Sequence, residues 1–280
     1  MCRYKVGRIV PLLVTEAPNA GIIHYETHGR GRPVLFLHGW LGSWQLWRST
    51  IEEIGKEFKT YSIDFWGFGD SRAGGENNRN LDVFRVDSFV EMVNQFMDKL
   101  GIPKAAIIGH SMGGTVSLSM AIKYPEKVVK TACVGSPIDG ASLNLLLKLS
   151  GIPAFAFLVW RSPALLRLFL RAYSYFMASD GRRMAKMITS DVSKTSMESF
   201  FQSIGTLRNT NLTPDLGKIT MPTLGIYGKR DIIVRPQQRH VLQAGVPHAK
   251  IIYYENAGHF PMLDVESDFI AAIRAFLKEK

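Results

Sequence analysis

Cysteine is nearly absent: Cys2 and Cys133 are the only two in 280 residues, one at the extreme N-terminus and the other inside an apolar run. So sparse a complement excludes a disulfide-stapled fold and predicts reduced thiols, with a cytoplasmic location as the expectation. Long hydrophobic runs are missing as well. The most apolar stretch, residues 149–160, is bounded by Lys148 and Arg161 and falls well short of the roughly 20 residues a membrane-spanning helix needs. The run from Val6 to Val14 is broken by Arg8 and Pro11 and lacks a small-residue cleavage site, so a signal peptide is not expected. Acidic residues are scarce between 141 and 190, where Asp180 stands alone against Lys148, Arg161, Arg167, Arg171, Arg182, Arg183 and Lys186. That segment holds most of the formal charge of +10. No basic run alternates with aromatics and no nucleic-acid motif accompanies it. The charge therefore reads as a solvated face with at most weak attraction for anionic surfaces, and no nucleic-acid partner is expected.

What is present is ordinary globular material, 46% hydrophobic and 21% charged, enough for a sizeable core. Short apolar runs alternate with longer amphipathic ones, as strands and helices do around a mostly parallel sheet. Strands are predicted at 21–25, 34–37, 60–63, 105–108, 128–134, 223–227 and 250–254. Helices are predicted at 43–54, 86–100, 112–123, 236–244 and 267–278. The alternation stops after Val134, and about eighty residues with helical apolar spacing follow before it resumes at Thr223. A loop of that length inside a compact domain is improbable, so residues 137–216 are expected to form a helical cap inserted into a core of residues 1–136 and 217–280. Pro153 and Pro163 divide its apolar first half into short helices.

Ile107-Ile108-Gly109-His110-Ser111-Met112-Gly113-Gly114 puts a serine on a tight turn between a predicted strand and a predicted helix. Small neighbours are required there, because the helix start must approach the strand closely. A serine that merely caps the helix at Met112 is the plainer alternative. A nucleophilic hydroxyl needs a base, and the base needs a carboxylate to hold its tautomer. Of seven histidines, His259 has the best setting, in the turn Asn256-Ala257-Gly258-His259-Phe260-Pro261 before the last helix. Asp231, in Tyr227-Gly228-Lys229-Arg230-Asp231, follows a predicted strand, and the chain order Ser, Asp, His is that of a known strand-edge triad. Asp139, just past the strand ending near Val134, is the rival acid. The backbone N–H groups of Met112 and Trp40 are the candidate oxyanion donors. Trp40, Phe155, Leu158, Trp160 and Phe260 are candidates for an apolar substrate pocket, although aromatic residues at such spacing are more often core.

These segments, with Phe36-Leu37-His38-Gly39-Trp40 and Asp64-Phe65-Trp66-Gly67-Phe68-Gly69-Asp70-Ser71, resemble the α/β-hydrolase superfamily. The likeness is to its cap-bearing branch of serine esterases, haloperoxidase-like perhydrolases and carbon–carbon bond hydrolases. The resemblance implies an α/β fold with a mostly parallel eight-stranded sheet flanked by helices, a helical cap, no metal and no organic cofactor. It also implies that His38, Asp64 and Ser71 shape loops. Haloalkane dehalogenases and epoxide hydrolases of this branch use aspartate where this chain has Ser111, which argues against both. Carbon–carbon hydrolases often carry tryptophan where Phe260 stands. The expected activity is therefore hydrolysis of small-molecule carboxylic esters with small to medium apolar acyl groups, through an acyl-enzyme. A carbon–carbon hydrolase acting on a diketone-like substrate and a catalytically silent ligand-binding fold are the alternatives.

Overall fold

The computed structural model describes residues 21–73, 83–150 and 181–279, with isolated positions between 151 and 180. The main sheet contains β2 (Tyr25–His28), β3 (Pro33–Leu37), β4 (Lys59–Ile63), β6 (Ala105–His110), β7 (Val128–Val134), β8 (Thr223–Gly228) and β9 (Lys250–Tyr254). Their spatial order is β2-β4-β3-β6-β7-β8-β9. Only β2 runs antiparallel to its neighbour, with Tyr25 opposite Ile63 and His28 opposite Thr60. Eight strands were expected; the described residues contribute seven to this sheet, and residues 1–20 lie outside the description. Strands β6 and β8 are buried at every position, the pattern of central strands covered on both faces, which is why they read as continuous apolar runs.

Two predicted elements divide. The strand expected at 21–25 becomes β1 (Gly21–Ile22), paired with β5 (Arg72–Ala73) in a two-stranded ribbon, and then β2. Between them, the His24 N–H donates to Ser71 Oγ at 2.8 Å and its Nδ1 lies 2.8 Å from Asp64 Oδ2, bonds that pull the chain off a straight strand. The helix expected at 43–54 opens as a 3-10 turn, Trp44–Trp47, before α1 (Arg48–Ile54). Ser43 caps that turn by accepting the Gln45 N–H, and Asp64 Oδ1 accepts the Trp44 N–H at 2.6 Å. The helices α2 (Val86–Lys99), α3 (Met112–Lys123), α7 (Gln238–Gly245) and α9 (Glu266–Lys278) follow the predicted ranges within two residues.

Between β7 and β8 the described α-helices are α4 (Leu145–Ser150), α5 (Gly181–Val192) and α6 (Met197–Leu207), with 3-10 turns at Gly140–Ser142 and Thr213–Lys218. The two ends of this segment lie side by side, and its start also pairs with the loop after β8: the Gly140 N–H donates to Thr210 O at 2.8 Å, the Leu212 N–H donates to Ile138 O at 2.9 Å, Asp139 pairs with Asn211, and Leu143 pairs with Val234. Leu216 is fully buried, and a Cβ added at Gly245 in α7 would meet its side chain at 2.5 Å, so the chain has rejoined the sheet layer by that point. A short helix α8 (Pro261–Asp264) follows the 255–260 loop. No helix among the described residues is long and apolar enough to cross a membrane.

Candidate active site

Ser111 sits where β6 turns into α3, with φ 53° and ψ −120°. It and Leu41 are the non-glycine residues with positive φ among those described. A side chain held in such a conformation costs free energy, and the surrounding packing must over-determine it. The flanking glycines show how. A Cβ on Gly109 would lie 2.0 Å from Gly113 O, and one on Gly113 would lie 2.4 Å from Leu37 O. The helix start is therefore pressed against both its own strand and β3, which no larger residue permits. The Ser111 N–H donates to Val134 O at 2.8 Å, so the turn also hangs on the end of β7. Met112, fully buried, is the first residue of α3, where a helix leaves its backbone N–H groups without intrahelical partners.

Asp231 and His259 come from the loops after β8 and β9. His259 Nδ1 is 2.8 Å from Asp231 Oδ2, with both side chains almost wholly buried. An ionised carboxylate only accepts, so Nδ1 carries the proton and Nε2 is left as the basic nitrogen. Asp231 Oδ1 accepts the N–H groups of Ile233 and Val234 at 2.8 and 2.9 Å. Gly135 ties the pair to the serine turn. It follows Val134, has φ 55°, and a Cβ there would lie 3.3 Å from His259 Nδ1 and 3.4 Å from Asp231 Oδ2. The structure thus gathers Ser111, Asp231 and His259 around the ends of β6, β7, β8 and β9. Asp139, the rival acid, instead caps a short turn by accepting the Ala141 N–H at 2.8 Å.

The β3 loop completes the rim. The Gly42 N–H bonds Gly39 O at 3.1 Å across a turn whose central residues are Trp40 and Leu41. Gly39 packs against the serine turn, since a Cβ there would lie 3.0 Å from Ser111 Cβ. The Trp40 indole N–H donates to Phe200 O at 2.8 Å and its ring lies 4.7 Å from that of Phe200, joining this loop to α6. His38 shapes the same loop: Nδ1 donates to Gly39 O at 2.7 Å and Nε2 accepts the Phe65 N–H at 3.0 Å. Complete burial lowers its pKa and keeps it neutral. Phe260 is buried, with its ring 4.6 Å from His110 and 5.1 Å from His259. Phe155, Leu158 and Trp160 lie outside the described residues.

One polar group beside the β3 loop carried no signal in the sequence. Asp191 on α5 is buried and accepts the Ser43 hydroxyl at 2.9 Å, a contact between positions 148 apart. Burial pushes its carboxyl up to about 7; the Ser43 hydrogen bond opposes the rise, and Asp64 adds to it. Among the described residues, His24, Asp64 and Asp70 bring possible metal ligands within 4.8 Å of one another. Those atoms are already engaged: Asp64 accepts from Trp44, His24 and the Asp70 N–H, and Asp70 is paired with Lys194 at 2.8 Å. Cys133 is buried near Tyr227, and burial pushes its thiol up to about 12, which makes it inert.

Comparison with known proteins names the family to which this fold belongs. The family model described as alpha/beta hydrolase fold matches residues 32–265, and the chain belongs to that family. It is 24% identical over 92% of its length to a pimeloyl-[acyl-carrier protein] methyl ester esterase of Aliivibrio fischeri, covering 98% of that protein. It is 25% identical over 86% of its length to bifunctional epoxide hydrolase 2 of Mus musculus, of which it spans about half, 51%. Among solved structures, an esterase from Thermogutta terrifontis matches with a TM-score of 0.80 at 20% identity, covering 97% of this chain and 98% of that one. An epoxide hydrolase from Bacillus megaterium matches with a TM-score of 0.77 at 20% identity, covering 93% and 98%.

Proposed function

We propose that this chain is a serine hydrolase that cleaves carboxylic esters through an acyl-enzyme. The observation that carries the reading is the buried His259–Asp231 hydrogen bond, packed through Gly135 against a serine held at positive φ. In the first half-reaction Ser111 Oγ attacks the ester carbonyl carbon while His259 Nε2 takes the hydroxyl proton. The resulting oxyanion is met by the backbone N–H groups of Met112 and Trp40, and Asp231 stabilises the imidazolium. Collapse breaks the bond to the alkoxy group, which leaves as alcohol with the proton from His259. Water then attacks the acyl-enzyme, giving up its proton to His259, and the acid departs as Ser111 recovers its hydroxyl.

Serine at position 111 favours this chemistry over epoxide opening, for which the branch uses an aspartate, and the esterase among the relatives points the same way. We further read residues 137–216 as a cap, whose ends lie side by side at 138–140 and 210–212. With Phe155, Leu158 and Trp160 it would supply an apolar wall for small to medium acyl groups. The test is a series of p-nitrophenyl esters from acetyl to dodecanoyl beside a vinylogous diketone. Turnover of the esters, abolished by Ser111→Ala, is expected. Faster turnover of the diketone than of every ester would assign carbon–carbon hydrolysis instead, and no turnover of either would leave a ligand-binding fold.

A further inference from the structure

One buried titratable side chain touches the candidate site without a part in the chemistry above. His110 ends β6 directly before Ser111 and is 1% exposed. Its Nε2 lies 2.8 Å from the carbonyl oxygen of His259, 149 residues away in the chain. A carbonyl only accepts, so Nε2 carries the proton and the neutral ring leaves Nδ1 bare. Nδ1 is buried and has no hydrogen-bond partner. It faces the turn that carries Trp40, because a Cβ on Gly39 would lie 2.9 Å from it. The ring itself is wedged against His259 at 4.7 Å and Phe260 at 4.6 Å.

We propose that His110 is a positioning residue: its Nε2–H···O=C bond to His259 locks the loop of the general base onto the strand that carries the nucleophile. The inference rests on His259 being the base in the reading above. His110 acts as a neutral ring. A proton on Nδ1 would be a buried donor with no acceptor, next to a histidine that becomes cationic during turnover. Burial first, and then the charge of His259, hold its pKa well below the usual histidine value, and His38 is the other titratable group acting on it in the same sense. The bond joins the end of β6 to the loop after β9, and the same ring faces the β3 turn at Gly39, so it touches three segments whose mutual geometry sets the reaction. A small displacement of a base costs far more in turnover than in binding, on the order of a hundredfold for about 1 Å.

Three variants test this. His110→Phe keeps a ring and removes the donor; His110→Gln keeps an N–H at the position of Nε2; His110→Asn places its amide at the position of Nδ1 and leaves Nε2 unreplaced. With a p-nitrophenyl ester, His110→Phe is expected to lower kcat by about ten- to a hundredfold with KM within about twofold. His110→Gln should recover most of the loss, and His110→Asn should not. In proton NMR the downfield His259 Nδ1–H resonance, bonded to Asp231, should broaden in the Phe and Asn variants and persist in Gln. Where His110→Phe does not fold, the Gln and Asn pair decides. Wild-type kcat in His110→Phe, or equal losses in Gln and Asn, would overturn the proposal. Failure of the underlying reading looks different: Ser111→Ala, with His110 intact, would keep its turnover.

Discussion

Asp231 divides its two carboxylate oxygens between His259 and its own loop: Oδ2 is 2.8 Å from His259 Nδ1, while Oδ1 accepts the backbone N–H groups of Ile233 and Val234. This division makes the effect of an amide at the position definite. In Asp231→Asn the oxygen remains with the two backbone donors, and the NH2 group is turned toward His259. Nδ1 must then accept, the proton moves to Nε2, and the base is lost. A fall in kcat of about 10⁴ is expected from steady-state kinetics, with the fold retained. Asp139→Asn keeps the oxygen that accepts the Ala141 N–H and should stay near wild type. A crippling Asp139→Asn beside a mild Asp231→Asn would reverse the assignment of the acid.

Ser111→Ala deletes a hydroxyl and leaves the turn's backbone bonds in place, since the N–H to Val134 O and the carbonyl to the Gly114 and Thr115 N–H groups are main-chain interactions. Hydrolysis should fall by several orders of magnitude, and the thermal midpoint should move little. Labelling of the wild type by a fluorophosphonate, absent in the variant, checks the same residue independently of substrate. Labelling that persists would remove Ser111 as the nucleophile.

Gly113 is held to glycine by a neighbour. Because a Cβ there would meet Leu37 O at 2.4 Å, Gly113→Ala must push α3 away from β3, an overpacking expected to cost at least about 2 kcal/mol in urea denaturation. Gly217→Ala is the control, because a Cβ at that position meets nothing within 4 Å. Equal stability losses in the two variants would mean that the close approach is not what constrains the turn.

Asp191 makes stability depend on pH. Its folded pKa of about 7 stands above the ordinary value of 3.8, so between these values the folded state binds a proton that the unfolded state has released. The penalty is absent below about pH 4, grows as pH rises through that interval, and is complete above about pH 7. Asp191→Asn keeps an oxygen to accept the Ser43 hydroxyl and has no charge to bury. It should stabilise the protein by a few kcal/mol near pH 8 and by almost nothing near pH 4, read from denaturation midpoints. A stabilisation independent of pH would show that the ionised carboxyl is not the source.

Local signals were enough for most of the elements and to nominate the candidate residues that the fold brings to one edge of the sheet. Apolar runs such as Ala105-Ala106-Ile107-Ile108 name their strands because a parallel strand buried on both faces tolerates nothing else. Gly109, Ser111 and Gly113 name their turn because each glycine answers a steric demand within a few residues or from the adjacent strand. Loop setting after a strand then favours Asp231 and His259, with Asp139 left as the rival acid. Local pattern misleads where a distant polar partner intervenes. The predicted strand at 21–25 breaks because His24 is bonded to Asp64 and Ser71, forty and forty-seven positions away.

Both Asp231 and Asp139 follow strands, and only tertiary structure sets Asp231 Oδ2 2.8 Å from His259 Nδ1 while Asp139 caps a turn at Ala141. Tertiary structure alone joined His110 to the His259 carbonyl and Ser43 to Asp191. Residue type and spacing determine backbone conformation over a few positions, and so the strands, the serine turn and the candidate nucleophile were legible in the sequence. Hydrogen bonds between residues more than a hundred positions apart depend on how loops converge at the edge of the sheet. No local pattern encodes that convergence, and the folded core supplies it.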